Sequence, residues 1–270
     1  MKQESRPFAL VTGGSSGIGR QYAEQLARDY HYNLLLVSNQ EKALLDTAVE
    51  WTPRYNVQIK TLYMDLATPD AADKVYRYVQ EQRLDVEVLV NNAGFLIFDA
   101  FAHVPMQKIE ALLMLHIVTL TKLCRLFSEE WIKQQHTTRR FILNMSSMSA
   151  WMAMPSIQCY NATKSYVLNF SRALWYELRP HNIRVLAVTP GSTDTGLLPF
   201  PPVFGKILRS FGITMKPEKL VRSVLRVLFR SRRKTTMPGL WNHIIVPIIN
   251  HLPDWLVFAV MKRMPMFATK

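Results

Sequence analysis

Short apolar runs of strand length alternate with segments of helical length through most of the chain. Runs without polar alternation are typical of strands that are buried on both faces, as in a parallel sheet. The predicted strands are FALVT (Phe8–Thr12), NLLLVS (Asn33–Ser38), VQIKTLYMD (Val57–Asp65), VEVLVNNAG (Val86–Gly94), RFILNMSS and IRVLAVTPG. The predicted helices cover Ile18–Asp29, Gln40–Trp51, Asp70–Gln82 and a long region within Met106–Gln134, and a further helix begins near Ile157. The alternation predicts a doubly wound α/β fold with a parallel sheet, with ligands bound at the carboxyl ends of the strands.

Length and composition predict one domain that covers residues 1–270. Hydrophobic residues make up 49% of the 270 residues, so a large core is available. Cys124 and Cys159 show neither metal-binding spacing nor a disulfide framework, which favours a reducing compartment. The N-terminal MKQESRPFALVTGG has no long apolar region, and polar residues and prolines interrupt the apolar stretch Leu240–Met261. We therefore expect a cytoplasmic protein without a secretory signal.

The positive charge is concentrated in the C-terminal quarter. The net charge of the chain is +13, and residues 201–270 hold thirteen lysines and arginines against Glu218 and Asp254, a net of +11. A generally basic nucleic-acid-binding protein would spread its charge differently, and no nucleic-acid motif is present in the sequence. We predict no nucleic-acid partner.

The sequence TGGSSGIGR, Thr12–Arg20, directly follows the first predicted strand and opens the first predicted helix. Gly13, Gly17 and Gly19 allow a tight turn and close approach of the backbone to a pyrophosphate, and the helix N-terminus supplies free N–H groups. A purely structural glycine turn is the alternative. The strand–turn–helix context favours a dinucleotide site, and because no Gly-Lys-Ser/Thr follows, it is not a P-loop.

Tyr160 and Lys164 lie one helical turn apart, and Ser147 precedes Tyr160 by thirteen residues. A lysine ammonium beside a phenol favours the phenolate, so we expect Lys164 to lower the pKa of Tyr160 from its usual value of about 10. A phenol tuned in this way exchanges protons near neutral pH, and Ser147 could hydrogen-bond a substrate oxygen. The alternative is a surface helix pair whose lysine reaches solvent.

Five motifs in one order give the chain a family resemblance. They are TGxxxGIG after the first strand, NNAG at Asn91–Gly94, Ser147, YxxxK at Tyr160–Lys164 and PGxxxT at Pro190–Thr195. Together they resemble the short-chain dehydrogenase/reductase family, whose fold is Rossmann-like, over about residues 6–195. The resemblance implies an oxidoreductase that interconverts a secondary alcohol and a ketone with a nicotinamide dinucleotide.

The resemblance also implies the site residues. Tyr160 would be the acid–base residue, Lys164 would tune its pKa and bind the ribose, and Ser147 would polarise the substrate carbonyl. The residues implied to bind the cofactor are Gly13, Ser15, Ser16, Gly17, Ile18, Gly19, Ser38, Asn39, Asp65, Leu66, Asn91, Ala93, Gly94, Tyr160, Lys164, Pro190, Gly191, Thr193 and Thr195.

His116 stands where the family usually has an asparagine that anchors a water in the proton relay. A histidine both donates and accepts, so it could hold the same water or carry the proton itself, and we include it among the candidate catalytic residues. The alternative is a core-facing histidine bonded to backbone.

The residues after the second strand favour NADP(H) over NAD(H). An acidic residue there would bind the ribose 2′-OH of NAD and repel a 2′-phosphate, but the chain has Ser38, Asn39 and Gln40. Ser38, Asn39 and Arg20 could bond a 2′-phosphate.

The C-terminal quarter of the sequence leads to expectations about the substrate pocket and about membrane contact. Residues 196–216, rich in Pro and Phe, predict a lid over an apolar pocket or else a loop packed on the core. A helix from Pro217 has one apolar and one basic face, and an apolar, proline-broken extension covers residues 235–270. We expect a small lipophilic carbonyl or alcohol as the substrate. We also expect peripheral membrane contact through residues 217–270. The alternative is that the apolar residues of this region pack in an oligomer interface or in the core. The resemblance also implies a homo-oligomer.

Two other functions fit parts of this pattern. A catalytically silent dinucleotide sensor or scaffold would explain His116 as a decayed relay, but the intact Ser147, Tyr160 and Lys164 argue against it. A sugar-nucleotide epimerase also uses YxxxK, but such chains usually have TGxxGxxG, whereas the glycines here follow TGxxxGIG.

Overall fold

The computed structural model describes residues 6–191, 193 and 214–263. Its strands are β1 (Phe8–Thr12), β2 (Asn33–Ser38), β3 (Ile59–Tyr63), β4 (Val86–Asn91), β5 (Arg140–Met145), β6 (Ile183–Val188) and β7 (Thr235–Thr236). They form one seven-stranded sheet in the order β3-β2-β1-β4-β5-β6-β7, and every neighbouring pair is parallel. The order reverses between β1 and β4, which places a crevice at the carboxyl ends of these two strands.

Helices connect the strands. They are α1 (Gly17–Tyr30), α2 (Glu41–Tyr55), α3 (Ala71–Glu81), α4 (Met106–Leu113), α5 (Leu120–Lys133), α6 (Gln158–Leu178), α7 (Pro217–Arg230), α8 (Leu240–Asn250) and α9 (Asp254–Met261). A π-helical turn, Met114–Thr119, joins α4 to α5, and a short 3₁₀ turn, Met148–Trp151, precedes α6.

Helices cover both faces of the sheet, and the central strands carry apolar side chains on both faces. Leu26 of α1 and Leu225 of α7 pack in the core on one face. Val75 of α3, Phe127 of α5 and Val167 of α6 pack on the other. Every residue of β1, β2 and β5 is buried. The predicted doubly wound α/β fold is confirmed.

Some element bounds differ from the prediction. Strand β3 is shorter than Val57–Asp65, and α2 continues past Pro53 to Tyr55. The last turn of α2 is held in place, since Trp51 is buried and the Tyr55 hydroxyl donates to Glu24 at 2.8 Å. Strand β7 was not predicted, because two threonines give no apolar signal.

The apolar and basic faces predicted for the helix from Pro217 are those of α7. Its buried residues are Leu220, Val221, Val224, Leu225 and Leu228. Arg226 and Arg230 are exposed, and Arg222 forms an ion pair with Glu218 at 2.6 Å. The apolar face of α7 is therefore part of the core.

Replacement of Leu225 by alanine should lower the free energy of unfolding by about 2–5 kcal/mol, because it leaves a cavity under α7. Urea unfolding followed by circular dichroism measures the loss. Arg226→Ala, on the exposed face of the same helix, should change the free energy of unfolding by less than about 0.5 kcal/mol. Equal losses in the two variants would contradict the orientation of α7.

Candidate active site

A cleft of about 670 Å³ opens where the strand order reverses. Most of the predicted site residues line it: Gly13, Ser15, Ser16, Gly17, Ile18, Gly19, Ser38, Asn39, Asp65, Leu66, Ala93, Gly94, Ser147, Tyr160, Lys164, Pro190, Gly191 and Thr193. Thr195 and residues 196–213 of the predicted lid lie outside the described residues. The topology thus brings loops from six strands to one site.

The glycine loop has a conformation that requires glycine. Gly13 and Gly17 have φ values of +65° and +54°, in the left-handed region that glycine adopts without steric cost. At Gly19 a Cβ atom would lie 2.0 Å from the carbonyl oxygen of Gly13, so a side chain would force the loop away from α1. Gly17, Ile18 and Gly19 line the cleft, so the positive end of the α1 dipole faces it. This cradle fits the pyrophosphate of a dinucleotide.

The end of β2 presents neutral polar groups to the cleft. The Ser15 hydroxyl lies 2.7 Å from that of Ser38 and donates to Gln40 Oε1 at 2.9 Å. Asn39 also lines this part of the cleft, and none of these side chains is acidic. Because these side chains are neutral, they do not repel a phosphate at the ribose 2′-position.

The Arg20 side chain lies apart from the polar groups at the end of β2. Its guanidinium lies over the Trp51 ring at 5.0 Å and donates to Glu50 at 3.3 Å. It is not among the residues that line the cleft. The Arg20 guanidinium is therefore engaged with α2 rather than with the polar groups at the end of β2.

Asn91, which was predicted to line the cofactor cleft, is not among the residues that line it. Asn91 is buried, and its Nδ2 donates to Asn144 Oδ1 at 2.8 Å and to Cys124 Sγ at 3.3 Å. Side chains alternate between the faces of a strand, so Asn91 points toward α5 while Asn92 reaches the cleft. Asn92 Nδ2 donates to the Thr12 carbonyl at 3.1 Å and ties the ends of β4 and β1 together.

Ser147, Tyr160 and Lys164 converge on the cleft. Tyr160 lies in the first turn of α6 and is hydrogen-bonded to Ser147, which follows β5. Lys164 is buried one turn later, and its Nζ donates to the Met145 carbonyl at 2.9 Å. The same Nζ lies 5.4 Å from the centroid of the Tyr160 ring. The pair is therefore not a surface pair.

The expected lowering of the Tyr160 pKa is wrong for this geometry. Burial raises the pKa of Tyr160 to about 12, and the hydrogen bond from Ser147 opposes this only in part. Burial lowers the pKa of Lys164 to about 8. Burial outweighs the attraction between the two groups because the ammonium contacts a backbone carbonyl rather than the phenol oxygen. Tyr160 consequently keeps its proton at neutral pH and is suited to act first as an acid.

His116 is buried in the π-helical turn behind Gly94. Its Nε2 accepts from the Phe95 N–H at 3.3 Å, and its Nδ1 lies 2.9 Å from the Thr163 hydroxyl. Thr163 in turn donates to the Tyr160 carbonyl at 2.8 Å. Burial and the charge of Lys164 hold the pKa of His116 well below its usual range, so the ring is neutral, with its proton on Nδ1.

The contacts of His116 are closer to those of a core-facing histidine bonded to backbone than to those of a free proton carrier. Both ring nitrogens are engaged within the protein, and the ring is not among the groups that line the cleft. A Cβ atom at Gly94 would lie 2.6 Å from His116 Nε2, so the histidine packs directly against the NNAG segment.

Residues other than those of the predicted lid form the apolar wall of the cleft in the described part of the chain. The wall includes Phe95, Leu96, Leu115, Met152, Met154, Ile157, Ile245 and Ile249. Ile245 and Ile249 belong to α8, together with Asn242, which is buried against Gly191. The spacing of residues 242, 245 and 249 fits one helix face, but α8 is apolar on its other faces as well, so periodicity could not show which face turns inward.

The buried Lys164 should make stability depend on pH. Its pKa is about 8 in the folded chain and 10.5 when unperturbed, so between these values the unfolded chain binds more protons and the free energy of unfolding rises with pH. Relative to Lys164→Met, which cannot titrate, the native protein should gain up to about 3 kcal/mol across this interval. Urea unfolding at a series of pH values measures the difference.

Lys42→Met, at an exposed position of α2, is the control and should show no such trend relative to the native protein. Parallel pH profiles for the native protein and Lys164→Met would show that Lys164 is not buried as a titrating ammonium.

Comparison with known proteins gives one consistent family. The chain is 29% identical to the very-long-chain 3-oxoacyl-CoA reductase of Bos taurus over 257 residues, which cover 94% of this chain and 78% of that protein. The reductase of the same name from Homo sapiens is 28% identical, with 95% of this chain and 79% of that protein covered.

Solved structures show the same architecture. The bulky-bulky ketone specific alcohol dehydrogenase from Comamonas testosteroni superposes with a TM-score of 0.75 at 28% identity, covering 98% of this chain and 97% of the other. A short-chain dehydrogenase from Sphingobium yanoikuyae in complex with NADPH gives a TM-score of 0.75 at 27% identity, with 98% of each chain covered. Because the family model for short chain dehydrogenases also matches residues 7–199, the chain belongs to the short-chain dehydrogenase/reductase family of oxidoreductases.

Proposed function

We propose that the protein uses NADP(H) to interconvert a secondary alcohol and a ketone on a lipophilic molecule, and that it acts as a ketone reductase. The observation that carries this proposal is the convergence of Ser147, Tyr160 and Lys164 in a cleft with a glycine loop at one end and an apolar wall at the other. Relatives named for the reduction of 3-oxoacyl-CoA and for bulky ketones support a ketone on a large apolar body, such as a 3-oxoacyl thioester.

The polar residues supply the proton chemistry of such a reduction. When bound, the dinucleotide would supply the hydride. The hydroxyls of Ser147 and Tyr160 hydrogen-bond the carbonyl oxygen, and Tyr160 gives its proton to that oxygen as the carbonyl carbon is reduced. The Tyr160 phenolate that remains is stabilised by the Lys164 ammonium and recovers a proton from water.

We assign His116 a positioning role. Through Thr163 it holds the first turn of α6, and through the Phe95 N–H it holds the segment after β4. Transfer of a proton through His116 would first require one of these bonds to break. The sensor or scaffold function is the second candidate, because a histidine whose nitrogens are both engaged in the protein does not form an open relay.

Tyr160→Phe removes the proton donor alone and should lower ketone turnover by about 10²–10⁴-fold, measured as NADPH consumption with a lipophilic ketone. Binding of NADPH, measured by calorimetry, should change by less than about threefold, since the ring and Lys164 remain. Tyr166→Phe, on the exposed side of α6, is the matched control and should retain full turnover. An unchanged rate in Tyr160→Phe would refute the acid role and favour the scaffold.

The neutral groups at the end of β2 support the preference for NADP(H). Calorimetric titration should give tighter binding of NADPH than of NADH. Ser38→Asp should weaken NADPH binding by at least about tenfold, because a carboxylate repels the 2′-phosphate, while NADH binding changes less. Ser38→Ala adds no charge and should keep the preference. Tighter NADH binding by the native protein would overturn the preference but not the reduction, whereas binding of neither would favour the scaffold.

We further propose that the protein works as a homo-oligomer in the cytoplasm and meets a membrane surface through part of residues 217–270. The apolar wall of the cleft supports a lipophilic substrate, and the positive charge of residues 201–270 supports contact with anionic lipid.

A further inference from the structure

The last two described helices expose an unusual amount of apolar surface. Leu240, Trp241, Ile244 and Ile248 of α8 are exposed, and so are Trp255, Phe258 and Val260 of α9. Trp255 is 70% exposed and Phe258 61%, and none of the eight residues of α9 is buried. An exposed apolar surface that extends over two helices marks a binding surface rather than a scatter of single residues.

The opposite face of α8 belongs to the cleft. Ile245 and Ile249 line it, and Asn242 packs against Gly191. At the other end of α8, Asn250 Nδ2 donates to the Trp151 carbonyl at 2.7 Å. Helix α8 is therefore anchored at both ends and is the wall between the cleft and the exterior.

Neither α8, with 11 residues, nor α9, with 8, has the length of about 20 residues that a transmembrane helix needs. Together they are long and apolar enough, but the chain bends by 101° between them, so they do not form one straight span. One other region, Met106–Lys133, is long and apolar enough to cross a membrane, but Leu123, Phe127 and Trp131 place it in the core. Short apolar helices that carry tryptophan fit the interface of a bilayer instead.

The charges at the end of the helix pair favour an anionic lipid surface. Lys262 and Arg263 follow α9, and Asp254 is the single acidic residue between positions 240 and 263, so the formal charge of this stretch is 2 − 1 = +1. Two cations beside an apolar surface that carries tryptophans attract anionic headgroups, whereas the stretch offers one carboxylate to pair with them in a second copy of the chain.

We infer that α8 and α9 form a docking element that seats the mouth of the cleft on an anionic bilayer surface. A lipophilic ketone then passes from the bilayer to Tyr160 along the inner face of α8. This route rests on the proposed reduction, whereas the docking itself does not. Membrane contact then belongs to residues 240–263 rather than to α7, whose apolar face is buried in the core.

Flotation of the full-length protein with phosphatidylcholine vesicles that contain about 30% phosphatidylglycerol tests the docking without cofactor or substrate. The native protein should float with these vesicles, and less with phosphatidylcholine alone. The double variant Ile248→Asp/Phe258→Asp should bind at least about tenfold more weakly. The matched control is Leu45→Asp/Val49→Asp, which places the same charges at exposed apolar positions of α2 and should bind like the native protein.

Tryptophan quenching by brominated lipids gives a second readout that does not depend on the folding of the charged variants. Emission of the native protein should be quenched, and Trp241→Phe/Trp255→Phe should lose most of the quenched fraction. Absence of flotation, or equal quenching in the two proteins, would overturn the inference. A native dimer that dissociates in Ile248→Asp/Phe258→Asp and binds no vesicles would overturn it in favour of self-association.

The docking and the proposed reduction fail in distinguishable ways. Vesicle binding without reduction of any ketone would leave the docking intact and remove the proposed function. Reduction of a water-soluble ketone without vesicle binding would support the proposed function and remove the docking. If both hold, Ile248→Asp/Phe258→Asp should keep its turnover of the water-soluble ketone and lose at least about tenfold on a ketone held in vesicles.

Discussion

Thr12 joins the ends of β1 and β4 at the point where the sheet reverses. Its hydroxyl donates to the Val90 carbonyl at 3.2 Å and accepts from the N–H groups of Asn92 and Ala93 at 2.9 and 3.1 Å. The glycine loop follows one of these strand ends and the NNAG segment follows the other, so this side chain, together with the β1–β4 ladder and the Asn92 side chain, fixes the distance between them. The positions of Gly13, Gly19 and Asn92, and with them the shape of the cofactor end of the cleft, depend on that distance.

The polar groups of the site are controlled by burial more than by one another. Tyr160 keeps its proton, His116 stays neutral, and Lys164 releases its proton more easily than a lysine in water. Each of these shifts disfavours a charge where water is scarce. The site therefore holds a proton on the Tyr160 phenol and a positive charge on the nearby Lys164 ammonium. This arrangement suits a reaction in which negative charge develops on an oxygen.

The sequence was most informative where a residue type leaves the backbone few choices. Unbroken apolar runs predicted the parallel strands, and glycines at 13, 17 and 19 predicted the loop, because few other residues fit those turns. The sequence was least informative where the direction of a side chain depends on the fold around it. Asn91 and Asn92 are the same residue type, and only the pleat of β4 decides which one reaches the cleft. The pKa of Tyr160 depends on how deeply α6 is buried and on the bond between Lys164 and Met145, neither of which spacing can show.

The contact between Asn242 and Gly191 joins α8 to the segment that follows β6. Ser147 follows β5 and Tyr160 belongs to α6, whereas Ile245 and Ile249 reach the cleft from α8. Substitutions on α8 can therefore reshape the pocket without touching the proton donors, so the chemistry of the site and the shape of the molecule it admits are set by different elements of the chain.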